Sequence, residues 1–321
     1  MTVDSVILVP TKNRLNWCQA KLRYYSRQKR MPSIIFLDAS EKNNESNLLI
    51  NSKKRIYPSV FYLHLPGKSI HFSIEEGLKY AKNKWKYYAI CGDDDFYTVN
   101  FLSRATELLN SDPSVVAVLG KSVISRMRIK NDKIQILTCA NYWNPYSIMC
   151  PDQIDRFTKI TTNYLNLEFA LKRVDMGLLI AEAVNKFTGE LSFQESRFAE
   201  YCSSTAIPIL GKIIDLKILM MIRGDHPNRP NSKKQINEGG EYDLNSTKGL
   251  NNYLNFVLNF SNIINAPENF RSKVPIIIRL KEDLKKESDK QNRVTNLNRF
   301  ERRLFSYFLK FYYFSQIKKI T

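Results

Sequence analysis

Short apolar runs alternate with amphipathic stretches through the first 120 residues of this 321-residue chain, a rhythm that few architectures tolerate. Residues 3–9 read as a buried strand, Pro10-Thr11-Lys12-Asn13 as a turn, and residues 15–27 as a helix. Residues 33–38 and 60–64 read as further strands and residues 70–82 as a helix. Residues 87–91 (YYAIC) read as a strand running straight into Gly92-Asp93-Asp94-Asp95, followed by a helix over 100–109 and a strand over 115–119. Strands separated by helices predict an α/β fold, a doubly wound and mostly parallel sheet with flanking helices. Ligand crevices in such sheets lie at the carboxyl ends of the strands. Thr11, Asp38 and Asp93 all fall at those ends.

Beyond residue 120 the pattern loosens. Residues 121–150 read as irregular and β-rich, residues 165–191 and 195–204 as helices, and residues 211–215 as a short strand. Residues 221–237 are polar and read as a loop able to close over a site. Residues 250–264 read as a helix, and the charge run at 281–292 as a solvated helix face. At the end, Phe300, Leu304, Phe308, Phe311 and Tyr312 fall near helical spacing beside Arg302, Arg303, Lys310, Lys318 and Lys319. These segments predict a main unit over residues 1–230, with halves at 1–120 and 121–230. A helical, basic and aromatic C-terminal extension then covers 231–321.

Lys and Arg total 49 against 31 Asp and Glu, a formal charge of +18 that suits an anionic partner: nucleic acid, an acidic membrane face or a phosphate-bearing substrate. The five cysteines lack any Cys-x-x-Cys spacing, which argues against a disulfide framework or zinc site and for a reducing compartment. The apolar run at the N-terminus is shorter than a signal-peptide core, and no stretch approaches the ~20 apolar residues of a membrane span. A cytoplasmic protein is expected, with a peripheral contact at the anionic inner face of the membrane through residues 298–321.

Asp93-Asp94-Asp95 carries the strongest chemical signal. Adjacent carboxylates after an apolar strand repel one another and lose solvation, so they call for a compensating cation. A hard divalent ion, Mn²⁺ or Mg²⁺, with oxygen ligands supplies it. The competing reading is a solvated acidic turn capping the next helix; Phe96, returning to the core, favours the ion. His226 is a further candidate ligand, since neutral imidazole binds such metals. Arg223 suits bidentate contact with a diphosphate. Gly67-Lys68-Ser69 has the end of a phosphate-binding loop, but position 62 is Tyr where that motif needs Gly.

VILVPTKNR, IIFLDAS and YYAICGDDDF together resemble the GT-A-type glycosyltransferases of the nucleotide-diphospho-sugar transferase superfamily. The resemblance is to bacterial polysaccharide-type, family-2-like members carrying a GDDDF-like motif. It covers residues 1–120 and, more loosely, 195–230, where GKIIDLKILMMIRGDH is similar to the segment that closes the active site in these enzymes. It implies a GT-A-like fold and a metal-dependent, inverting transfer of sugar from a nucleotide-sugar donor to a glycan or lipid-linked glycan acceptor. Pro10, Thr11, Asn13 and Arg14 would form the first nucleotide-binding turn, Asp38 would bind the base or ribose, and Lys68 would approach the nucleotide or its phosphates. Asp93 and Asp95 would be the Asp-x-Asp pair, with Asp94 between them at the nucleotide. An inverting transferase needs a carboxylate base; Glu200 best matches the expected spacing, Glu195 competes, and Glu190 is more distant. The alternative is a nucleic-acid-binding or nucleotidyl-transferring protein. Against it, the basic residues are dispersed, no nucleic-acid module is recognisable, and VPTKNRL lacks a Gly-rich signature.

Overall fold

The computed structural model describes residues 4–45, 48, 59–130, 133–189, 196–225, 244 and 246–291. The early elements follow the alternation of the sequence: β1 (Ser5–Thr11), α1 (Leu15–Ser26), β2 (Ser33–Asp38), β3 (Val60–His64), α2 (Ile70–Ala81), β4 (Tyr87–Ile90), β5 (Phe96–Tyr97) and α3 (Val99–Ser111). Then come β6 (Val115–Lys130), β7 (Lys133–Trp143), α4 (Gln153–Thr162), β8 (Leu171–Arg173), α5 (Val174–Thr188), α6 (Ser196–Leu210), β9 (Lys212–Asp225), α7 (Thr247–Ile263) and α8 (Glu268–Gln291). The sheet runs β3-β2-β1-β4-β8-β6-β9-β5, with β7 paired to β6. β1 to β4 are mutually parallel, β6 and β9 are parallel, and β8 and β5 pair antiparallel with their neighbours. The α/β class and the mostly parallel, doubly wound sheet are as expected.

The period-two pattern of the strands divides the core between two faces. Val6, Leu8, Ile35, Leu37 and Ile90 pack with Ile74 and Leu78 of α2 and Leu178 of α5. Ile7, Val9, Ile34, Phe36 and Ala89 join the larger cluster that holds Cys18, Leu22 and Tyr25 of α1 and Phe101 of α3. Helix starts are capped where the sequence supplies a hydroxyl: Ser69 Oγ accepts from Phe72 N at the head of α2, and Thr98 Oγ1 from Phe101 N at the head of α3.

Two expectations need correction. Residues 165–191 are not one helix: Leu171–Arg173 is a strand wedged between β4 and β6, with Lys172 opposite Tyr88 on one side and Ala117 on the other, and the helix begins only at Val174. Pairing on both edges overrides the helical spacing of the apolar residues. The strand expected over 211–215 extends to Asp225, so residues 221–225 are not loop. Met221 and Ile222 are buried and hydrogen-bonded between β5 and β6, which satisfies backbone groups that a loop would leave to water. Residues 226–237 and the aromatic segment 298–319 lie outside the described residues. Among the described residues, no helix is long and apolar enough to cross a membrane.

Candidate active site

The parallel register Leu8↔Ile90 sets the carboxyl ends of β1 and β4 side by side, so Thr11 and Asp93 emerge together. Thr11 Oγ1 donates to Asp93 Oδ2 at 2.8 Å. The acidic turn closes through Asp95 N–H to the Gly92 carbonyl (3.0 Å). β5 then returns the chain to the sheet, where Phe96 pairs with Ile222, and this pairing delivers Arg223 and Gly224 to the turn. Gly224 N–H donates to Asp95 Oδ1 at 3.0 Å. A Cβ on Gly224 would sit 2.5 Å from the Asp94 carbonyl oxygen, closer than real Cβ contacts come, so only glycine permits this approach.

Protein cations surround the buried acids. Arg14 Nη1 lies 2.6 Å from Asp93 Oδ1 and its Nη2 lies 3.3 Å from Asp94 Oδ2. Arg223 Nε is 3.5 Å from Asp95 Oδ2, and its guanidinium stacks 4.4 Å above the Phe169 ring. Beneath the turn, the fully buried Lys21 donates to the Asp95 carbonyl and lies 3.2 Å from Cys91 Sγ. Even so, Asp93 is pushed up to about 6: burial dominates and Asp94 adds to it, outweighing Arg14 and Thr11. Its ionised form is therefore under-compensated.

That deficit, together with an all-oxygen donor set, fits a hard divalent ion. Among the described residues, no cluster of three or more His, Cys, Asp or Glu side chains is placed to hold a metal by itself. The arrangement suits an ion that takes one or two carboxylates and completes its shell with phosphate oxygens and water. His226 and Glu195, both expected at the site, lie outside the described residues, as does Glu190.

Pro10, Thr11, Arg14, Lys68, Asp93, Asp94, Asp95, Glu200 and Arg223 all line one open cleft of about 670 Å³, within the usual range for small-molecule sites. Two expected residues do not line it. Asn13 adopts φ 57, the left-handed region that asparagine tolerates, and donates its N–H to Ser40 Oγ at 2.7 Å, shaping the turn from behind. Asp38 is buried, with Oδ1 accepting from Ser40 and Oδ2 from Tyr62 and Asn44. Burial pushes its carboxyl up, but those donors outweigh it and hold it below the ordinary value.

Glu200, on α6, is pushed up to about 7, first by burial and next by the charge of Glu168; Arg223, Arg197 and the Asn166 amide act the other way. Glu168 and Phe169 precede β8 and also line the cleft, as do His71 and Ser196. Sequence reasoning missed all four. Reading 165–191 as a helix hid the loop that presents Glu168 and Phe169. One available signal was a lone acid inside the apolar run LNLEFAL, since a buried polar residue is the informative exception. His71 Nε2 lies 3.0 Å from the Ser196 carbonyl, and burial pushes the imidazole below its ordinary value.

No protein-family model matches the sequence, and no curated protein matches it. Among solved structures, the chain is similar to S. aureus TarS 1–349 in complex with UDP-GlcNAc, at 10% identity over 87% of this chain and 72% of that one, with a TM-score of 0.52. A second structure of S. aureus TarS 1–349 aligns at 13% identity over 92% of this chain and 93% of that one, with a TM-score of 0.47. The first likeness establishes the fold, which is GT-A-like.

Proposed function

We propose that this chain is a nucleotide-sugar-dependent glycosyltransferase, metal-dependent and inverting, acting on a glycan or lipid-linked glycan acceptor. One observation carries the proposal: a single cleft brings together an under-compensated acid turn flanked by arginines and a separate glutamate held near neutrality. The GT-A-like fold supports it, as does the nucleotide-sugar bound to TarS.

Asp93 and Asp95 would hold Mn²⁺ or Mg²⁺, with His226 as a further ligand. When bound, the ion neutralises charge on the leaving diphosphate. Arg14 is partly exposed and able to trade a carboxylate for a phosphate oxygen, and Lys68 lines the same cleft. Arg223 contributes a planar guanidinium beside the turn, suited to bidentate phosphate contact. Glu200 takes the proton of the acceptor hydroxyl. That oxygen forms its bond to the anomeric carbon as the bond to the diphosphate breaks, and the electron pair leaves with the diphosphate. A positioned base of this kind contributes roughly 10²–10⁴-fold. Residues 298–321 would bring the enzyme to the anionic inner face of the membrane.

Thermal shift with manganese and a panel of nucleotides tests the reading. Stabilisation by a nucleoside diphosphate only in the presence of metal is expected. Tight, salt-sensitive binding of an oligonucleotide in its place would overturn it in favour of nucleic-acid chemistry.

A further inference from the structure

Glu168 is 9% exposed and lines the cleft, yet none of the described residues hydrogen-bonds or ion-pairs with its carboxylate. Its backbone, by contrast, is held firmly. Its N–H donates to Asn166 Oδ1 (2.9 Å), and its carbonyl accepts from the buried Lys172 Nζ (2.8 Å). The same Asn166 side chain turns its amide nitrogen to Glu200 Oε1, so one amide ties both glutamates together. Leu167 N–H is fastened to Ser204 Oγ at 3.0 Å, and the Phe169 carbonyl accepts from Tyr97. The loop is therefore built rigidly around a carboxylate that no described group satisfies. Its oxygens face the solvent of the cleft, so a ligand that enters there can supply the donors that the protein does not.

We infer that Glu168 and Glu200 form the acceptor subsite, Glu168 accepting a hydrogen bond from a hydroxyl adjacent to the one that Glu200 deprotonates, so that the acceptor carries vicinal hydroxyls, as a sugar or polyol does. The inference rests on the glycosyltransferase reading. Cations already serve this corner: Lys172 lies under Glu168, and Arg223 and Arg197 act on Glu200. Neutral hydroxyl donors therefore suit it better than an ammonium group. His71, Tyr88, Tyr97, Tyr164 and Lys172 also face Glu168, and Tyr164 also faces Glu200.

The test uses the full chain and whichever nucleotide-sugar it hydrolyses. Glycerol, propan-1-ol and 3-aminopropan-1-ol compete separately with water for the sugar. Wild type is expected to favour glycerol over the other two by about tenfold or more, and Glu168→Ala to lose that preference. Equal preference in both proteins, or a preference for the amine, overturns the proposal. A second readout needs no substrate: the Glu200 carboxyl, followed by carbon NMR, is expected to titrate at lower pH in Glu168→Gln than in wild type. An unchanged midpoint in a folded variant would show that the glutamates do not face each other. Absence of any nucleoside diphosphate binding by wild type would instead sink the underlying reading.

Discussion

Where β1 and β4 end, each acid of the turn already touches a donor or cation: Asp93 has Thr11 and Arg14, Asp94 has Arg14, and Asp95 has Gly224 N–H and Arg223. In the part of the cleft formed by the loop before β8 and by α6, Glu200 has one amide and the carboxylate of Glu168 has no donor among the described residues. In the first region the guanidiniums of Arg14 and Arg223 stand directly against the acids. In the second, burial first and the neighbouring charge of Glu168 next raise the proton affinity of Glu200. Perturbed carboxyls concentrate at functional positions because catalysis needs them there. The proposed function gives charge handling to the first region and proton handling to the second.

Breaking the proton-handling region is expected to cost most. Glu200→Gln keeps an acceptor for Asn166 and removes the base, so transfer should fall by roughly 10²–10⁴ while nucleoside diphosphate affinity stays near wild type. Steady-state kinetics paired with calorimetry reads both, and an equal loss of binding would merge the two regions into one. Arg223→Met comes next. Methionine can still pack on Phe169 but cannot share charge with Asp95 or a diphosphate, so kcat should drop by about 10²–10³ with weaker donor binding. Unchanged kcat would remove Arg223 from the charge-handling set.

Much of the first region was legible in the sequence, because parallel strand ends and a triplet of acids are local features. Thr11 and Asp93 follow from strand ends that meet in the β1–β4 register, whereas Asp38, expected with them, does not line the cleft and Arg14 is implied by the family resemblance alone. The second region depends on tertiary pairing. Leu171–Arg173 becomes a strand only because Tyr88 and Ala117 are there to pair with Lys172, and that short strand turns residues 165–170 into a loop facing the cleft. No periodicity within the segment announces it. Spacing alone nominates Glu200, which lines the cleft; Glu168 beside it has no motif to mark it. Arg223 was expected on a closing loop, whereas β5 fastens it to the turn as part of the sheet.

Asp93→Asn sharpens the contrast through stability. A buried acid pushed up to about 6 holds its proton more tightly in the folded than in the unfolded chain. The contribution of Asp93 to native stability is then greatest below about pH 4, falls as pH rises to about 6, and stays flat above. The neutral amide escapes that cost, so the free variant should be more stable than wild type at pH 8 by about 1–3 kcal/mol. Adding Mn²⁺ and a nucleoside diphosphate should reverse the order, since only the wild type keeps the full carboxylate pair; removing the metal with a chelator should restore it. Thermal melts in the two conditions check this. A variant less stable in both would mean that Asp93 serves the fold rather than the ligand.

The smallest expected effect lies in the pH dependence of kcat/KM. With Glu200 at about 7, the base is protonated below neutrality, and each further pH unit downward should cost roughly tenfold. Arg197 lowers the Glu200 value from α6 without lining the cleft, so Arg197→Ala should move that acidic limb upward by a fraction of a pH unit and leave the plateau rate alone. The sign follows from the charge: a lost cation leaves the carboxylate less favoured, and the proton stays on to higher pH. A limb in the ordinary carboxylate range would mean that neither burial nor Glu168 perturbs Glu200. The perturbed acid would then lie in the turn and not on α6, and the base would have to be sought elsewhere.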